Sequence, residues 1–279
     1  MAGDIRLTLE ENYKNSFVTD DLRRLTTSGE ELFTLIIYPT IGEAPVLRYN
    51  PSTRLSALQG RQTSLTCSPT TSTSAGRGSR ARNDLRRFVV HNKLTRAMVL
   101  RGADNPRELA EQFTEFTVNV RSRHGVFTWA AVCEYDKKMR PHLHVFTHDS
   151  VENHLLRAQW TAPYGLDKST YYWSEILTTH EDLVYHALYC AKTFDAPAAE
   201  RPTRHRYRRS HASAPPRLVL EHVTKADIET LQQALEAATH TNVTTWTSDT
   251  YWCPTGLNWT PSQITTDTIH ELLDSYKPL

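Results

Sequence analysis

Glu134, the pair His142-Leu143-His144 and the series Tyr185, Tyr189, Lys192 are the residues of this 279-residue chain whose types and spacing could do chemistry. Side chains two apart on a strand point the same way, so His142 and His144 would share one face while Leu143 enters a core. Neutral imidazoles in that arrangement are good ligands for a divalent cation. Glu134 lies eight residues before His142, where a hairpin would bring its carboxylate beside the rings. Two imidazoles and one carboxylate leave coordination positions open for water and a substrate oxygen, as a Lewis-acid site requires. With thirteen histidines, a chance H-x-H pair is ordinary, and Glu134 alone reads equally as a solvated acid at a strand end. The metal reading rests on the three together.

On a helix, Tyr185, Tyr189 and Lys192 fall at i, i+4 and i+7, which sets both phenols and the ammonium on one face. A tyrosine nucleophile is weak at its usual pKa of about 10 and needs a nearby cation or metal. Lys192 could favour the phenolate or hold a phosphate. The same pattern on an isolated helix also describes an aromatic core stripe with a snorkelling lysine. Y-x-x-K recurs at Tyr135 to Lys138, at a strand end and turn, where it carries no catalytic role.

The elements that must position these groups can be read from periodicity. Leu94–Arg101 reads as a strand. Asn105 or Asp104 caps a helix with Pro106 and Glu108 in its first turn, and Gly125 ends it. Leu109, Phe113, Phe116 and Val120, at spacings of four, three and four, form that helix's apolar face. Val126–Tyr135 and His142–Thr147 are strands joined by the turn-like Asp136–Pro141, an antiparallel hairpin. Val151–Trp160 looks helical and Thr170–Ile176 strand-like, and Thr179 with Asp182 resembles a capping box opening a helix over Glu181–Phe194. Thr224 and Asp227 cap a further amphipathic helix carrying Ile228, Leu231 and Leu235. The fold expected is α+β, a mainly antiparallel central sheet with helices packed on it, plus flanking extensions.

Charge divides the chain further. The net charge of +1 hides two basic islands. Gly76 to Arg101 holds seven arginines and Lys93 against Asp84, and Arg201 to Arg217 holds six arginines and no acid. Such islands suit a polyanion, because each neutralised phosphate releases a counterion; either block alone also describes a solvated basic face. From Leu218 onward there are eight acids against Lys225 and Lys277. Nine of the thirteen residues 62–74 are Ser or Thr, which reads as a flexible linker. The domains expected are residues 1–80 as an N-terminal extension with that linker, 81–217 as the central domain, and 218–279 as a helical, acidic, Trp-rich region. Trp246, Trp252 and Trp259 are expected to pack back onto the domain. The longest apolar stretch stops at Pro39, far short of a membrane span, and the opening MAGDIRLTLEE lacks an apolar run, so neither a membrane nor a secretory signal is expected. Four scattered cysteines without a C-x-x-C pair fit a reducing compartment. No G-x-x-x-x-G-K-[ST] occurs, so a P-loop ATPase or helicase module is absent.

Glu134, then H-u-H (u apolar) in RPHLHVF, then some forty residues to a capped helix bearing YHALYCAK, is a joint pattern more specific than its parts. In this order and spacing the chain resembles the HUH endonucleases, specifically the rolling-circle replication initiators (Rep) of filamentous-phage and plasmid type. The resemblance covers about residues 81–217, and Arg204–Ser210 (RHRYRRS) is similar to the basic stretch after the catalytic helix in those initiators. The strand LTRAMVLRG keeps the apolar character of the family's first motif but not its threonines.

The resemblance implies an HUH/RRM-like sheet and metal-dependent, site-specific cleavage of one DNA strand. His142, His144 and Glu134 would hold Mg²⁺ or Mn²⁺, a hard cation suiting a carboxylate-containing set. Tyr189 would attack the phosphorus with Lys192 beside it, leaving a 5′-phosphotyrosine link and a 3′-hydroxyl that primes a polymerase. Tyr185 would perform the second transfer. Arg86, Arg87, Lys93, Arg96, Arg204, Arg206, Arg208 and Arg209 would grip single-stranded origin DNA, with Tyr207 stacking on a base. Host helicase and polymerase are the implied partners and the host cytoplasm the implied place. Competing readings are a relaxase or transposase of the same superfamily, an H-x-H metallohydrolase or cupin-like oxygenase, and a non-catalytic DNA-binding protein.

Overall fold

The computed structural model describes residues 33–48, 74–165, 171–203, 205–212, 214–239, 243–246 and 256–259. In chain order the elements are β1 (Phe33–Ile37), β2 (Glu43–Arg48), α1 (Ser74–His91), β3 (Arg96–Arg101), α2 (Pro106–His124), β4 (Trp129–Tyr135), β5 (Pro141–Thr147), α3 (Asn153–Thr161), β6 (Tyr172–Ile176), α4 (His180–Cys190), β7 (Arg208–Arg209), β8 (Leu218–Val223), α5 (Lys225–Thr239), β9 (Thr244–Trp246) and β10 (Gly256–Asn258). They form an α+β chain with two antiparallel five-stranded sheets. No helix among the described residues is long and apolar enough to cross a membrane.

The chain divides into two compact units, one joining Met1–Thr63 to Arg217–Leu279 and one spanning Ser64–Pro216. The first unit corrects the expectation of two separate extensions. β1 pairs antiparallel with β8, so segments from both ends build one sheet of order β8-β1-β2-β10-β9. Phe33, Leu35 and Ile37 alternate inward and share one core with Ile228, Leu231 and Leu235 of α5 and with Trp259. Trp259 thus packs into the joint unit, while Trp252 lies outside the described residues.

The second unit holds the sheet β6-β3-β5-β4-β7. β4 and β5 form the expected hairpin, with Glu134 opposite His142 and Val132 opposite His144. β3 flanks β5 on the other side, with Arg101 opposite His142 and Val99 opposite His144. Directly opposed residues share a face, so Glu134, His142 and Arg101 make one row across three strands. The reverse face presents Met98, Leu100, Leu143 and Val145 to Leu109, Phe113 and Phe116 of α2 and to Leu156 and Trp160 of α3. Edge-on aromatic contacts tie that core, with Phe113 to Trp129 at 4.8 Å and Phe116 to Trp160 at 5.6 Å.

Helix starts match their signals. Asn105 accepts from the Arg107 amide ahead of Pro106, and Thr179 and Asp182 bond reciprocally at the start of α4. Two expectations fail. Residues 74–80, expected to close the N-terminal extension, instead open α1, whose Leu85, Phe88 and Val89 are buried. The helix expected to reach Phe194 stops at Cys190 and tightens into a 3₁₀ turn over Lys192–Asp195. The remaining linker residues, 62–73, lie outside the described ones.

Candidate active site

The hairpin turn determines where the row sits. Asp136 Oδ1 accepts from the backbone N–H groups of Lys138 and Arg140, at 2.8 and 3.0 Å. Its Oδ2 accepts from the Arg140 side chain at 2.9 and 3.1 Å and from Arg101 at 3.1 Å. Hydrogen bonds from the Arg140 backbone, together with its guanidinium and the Lys138 amide, hold the Asp136 carboxyl well below the usual carboxylate range. One acid therefore closes the turn and ties it to β3. Sequence reading assigned Asp136 only a turn; its role was signalled by an Asp opening a five-residue connection between two strands.

Glu134, His142 and His144 each offer a ligand atom, and those atoms lie within 4.8 Å of one another. The two Nε2 atoms face each other at 3.1 Å, and His144 Nε2 is 3.4 Å from Glu134 Oε2. Glu134 and His142 are buried and His144 half-buried. Burial pushes the Glu134 carboxyl up, but His144, Lys192 and a Thr193 hydrogen bond outweigh it and leave it below its ordinary value. Burial, then the charges of His144 and Arg101, push His142 down to about 4. An ionised carboxylate beside a neutral imidazole is the protonation state a metal ligand set needs. The donor set, two nitrogens and one oxygen converging on one point, fits a divalent cation.

The 3₁₀ turn after α4 closes the site from above. Thr193 Oγ1 donates to Glu134 Oε1 at 3.1 Å, and Lys192 Nζ is 3.4 Å from Glu134 Oε2. Lys192 Nζ also stands 3.8 Å from the centre of the Tyr189 ring. Burial works against the Lys192 charge, but Tyr189 and Glu134 raise its pKa overall. Tyr189 meets His144 edge-on at 6.4 Å between ring centres, and Tyr185 stacks on Tyr189 at 6.3 Å. Tyr185 and Tyr189 are 65% and 48% exposed, so both phenols are open to a ligand and neither belongs to a core stripe. Lys192 reaches this face from the tightened turn rather than from a seventh helical position. Sequence reading missed Thr193, which carries no separate signal in the chain.

The residues expected to grip DNA divide by burial. Arg96 is a correction: only 6% exposed, it lies on the α2 and α3 face of the sheet, with a guanidinium nitrogen 3.4 Å from Ser174 Oγ. It belongs to the core edge and not to a DNA-facing surface. Arg86 and Arg87 are half-buried on α1, and both have polar or electrostatic partners. Arg206 donates to the Phe194 carbonyl at 2.8 Å, and Tyr207 stacks on the Phe194 ring at 6.2 Å. These two pin the basic segment to the 3₁₀ turn after α4. Lys93 is exposed beyond the start of β3, at the opposite end of the strand from Arg101. Arg208 and Arg209 are exposed on β7, pointing to opposite faces, and Arg204 lies outside the described residues.

No family profile, no curated protein and no solved structure matches this chain.

Proposed function

We propose that this chain is an HUH-type DNA endonuclease and ligase, a replication initiator that nicks one strand at an origin by tyrosine transesterification. The observation that carries the reading is the Tyr189 phenol beside His144, with Lys192 spanning from its ring to Glu134. In the reaction Tyr189 Oη bonds to the scissile phosphorus while the P–O3′ bond breaks. The phenolic proton is balanced by the one gained on the 3′-oxygen, so the products are a 5′-phosphotyrosine and a free 3′-hydroxyl. The ester bond energy is kept, which lets the ends be rejoined. Glu134, His142 and His144 would hold Mg²⁺ or Mn²⁺, which would supply Lewis acidity when bound. Lys192 offsets the phosphate charge, and Thr193 keeps Glu134 turned inward.

Two exposed, stacked tyrosines support an initiator, in which Tyr185 takes the second transfer and closes the released circle, over a single-tyrosine transposase. A relaxase with three histidine ligands is less well supported, since His148 lies four residues beyond His144 and the described cluster holds two histidines. With no P-loop in the sequence, unwinding falls to a host helicase and extension to a host polymerase in the host cytoplasm.

The test uses Mn²⁺ and labelled single-stranded DNA from the replicon that carries the gene. A covalent adduct that disappears in Tyr189→Phe, or only in the double change with Tyr185→Phe, supports the proposal. Free 5′-phosphate without adduct identifies a hydrolase, and binding without cleavage identifies a non-catalytic DNA-binding protein. Either result overturns it.

A further inference from the structure

The end of the sheet away from the metal-ligand cluster carries a groove of about 370 Å³ between the C-terminal turns of α2 and the β7 edge. Arg121 enters it from the helix, Arg208 from the strand and His211 from just beyond the strand, while Arg209, which borders it, turns its guanidinium over the Phe88 ring of α1 at 4.7 Å; no acid lines it. Arg121, Arg208, Arg209 and His211 are all exposed, and the Arg121 side chain has no hydrogen bond or ion pair among the described residues. Val118 and Val126 form an apolar wall, and Val126 is 87% exposed. Basic residues in a helix's last turn complement its dipole, and basic edge strands deter sheet-to-sheet pairing. Neither effect calls for an exposed apolar wall facing guanidinium groups from two segments. A sugar–phosphate chain offers both complements, anionic oxygens at regular intervals and apolar sugar and base faces between them.

We infer that this groove binds the backbone of the DNA strand that the cluster cuts, at a distance from the nick. The inference rests on the nucleic-acid reading of the site. β4 spans from Trp129 at the groove to Glu134 at the cluster, five residues or roughly 17 Å. The groove opens on the α2 face of the sheet and the cluster lies on the reverse face, so the strand reaches from one to the other by turning around the β7 edge. The groove sets affinity and salt dependence without touching the reacting atoms, so its arginines are binding residues and not catalytic ones.

The experiment measures binding of a fluorescent oligothymidylate to the full chain carrying Tyr189→Phe, in chelator, across a range of salt. For single strands log K falls with log salt by about 0.7 per phosphate neutralised. Replacing Arg121 and Arg208 together by Ala should flatten that slope by about 1.4 and weaken binding at least tenfold at moderate salt. Replacing both by Lys should keep the slope. Arg121→Ala alone, at an exposed position, should flatten it by about 0.7, and this serves if the double variant fails to fold. An unchanged slope in folded Arg121→Ala protein overturns the inference. Adduct formation by the unmodified chain is scored separately. Adduct with an unchanged slope sinks the groove and leaves the nickase standing, whereas a flattened slope without adduct does the reverse.

Discussion

Lys192 Nζ and Glu134 Oε2 stand 3.4 Å apart, so the carboxylate that completes the metal-ligand cluster is already neutralised by a residue of the chain. Lysine and a divalent cation compete for the same charge. The Lys192 side chain is 46% exposed, so solvent screening limits the pair to about 1 kcal/mol. Lys192→Met should tighten Mn²⁺ binding roughly fivefold by that amount while slowing DNA cleavage. Titration calorimetry with Mn²⁺ checks the first part and a single-turnover adduct assay the second. Unchanged or weaker metal affinity would show that the ammonium does not hold the site against cations.

Tyr185 and Tyr189 stack, but only Tyr189 meets His144 edge-on. Tyr185→Phe should leave the first adduct within about twofold of the unmodified rate and abolish joining of the released strand, because a change of one tenfold step needs about 1.4 kcal/mol of lost contact. The check is a cleavage-and-joining assay on one oligonucleotide bearing two nick sites. Loss of the first adduct in Tyr185→Phe would exchange the two roles.

Burial and neighbouring positive charge push His142 down to about 4, against an unfolded value near 6.5. Between these values the unfolded chain binds more protons than the folded one, so stability rises with pH in that window. Above about 6.5 the contribution is constant; as pH falls from 6.5 towards 4 it is progressively lost. The melting temperature of metal-free protein should decline across that window, and His142→Gln should flatten the decline. A flat profile in the unmodified chain would contradict a buried neutral imidazole.

Asp136 shows the opposite sign of charge with the same direction of dependence. Its carboxyl sits below its unfolded value of 3.8, so its stabilisation is present above that pH and is lost as pH falls through the folded value. Asp136→Asn should lower the melting temperature at neutral pH and remove part of the acid-side slope. Because the same carboxylate ties the turn to Arg101, it should also loosen the row that holds His142 and weaken Mn²⁺ binding. Thermal scans against pH, with and without Mn²⁺, test both effects.

What was legible in the chain was what is decided locally. Alternation in His142–Thr147 and the short connection from Tyr135 set the hairpin register, and with it the approach of Glu134 to the histidines. Thr179 and Asp182 announced the start of α4 through their own side chains. Decisions made by distant partners were not legible. β1 finds β8 across most of the sequence, and nothing near Phe33 or Leu218 signals that pairing. Arg96 has the charge of a surface residue, yet strand register turns it to the face covered by α2 and α3. The end of α4 at Cys190 is likewise a tertiary effect, because the 3₁₀ turn after it is held by Glu134 from another strand.

Gly78 connects the end of the expected N-terminal extension to the site itself. In sequence it belongs to Ala-Gly-Arg-Gly after a Ser/Thr run; in the fold it lies buried in α1 against the 3₁₀ turn. A Cβ there would come within 2.8 Å of the Phe194 carbonyl oxygen and would also collide with the Asp195 carboxylate, which pairs with Arg82. Ala in a helix interior is favoured over Gly by about 1 kcal/mol, whereas crowding a packed contact costs about 1–3 kcal/mol. The carbonyl is backbone and cannot swing aside, so crowding wins and Gly78→Ala should be destabilising by about 1 kcal/mol net. The displaced segment is the one that carries Lys192 and Thr193 to Glu134, so Mn²⁺ affinity should change along with stability. Urea unfolding and metal titration of the same variant separate the two readouts. A more stable Gly78→Ala protein would mean that α1 does not press on the turn that closes the site.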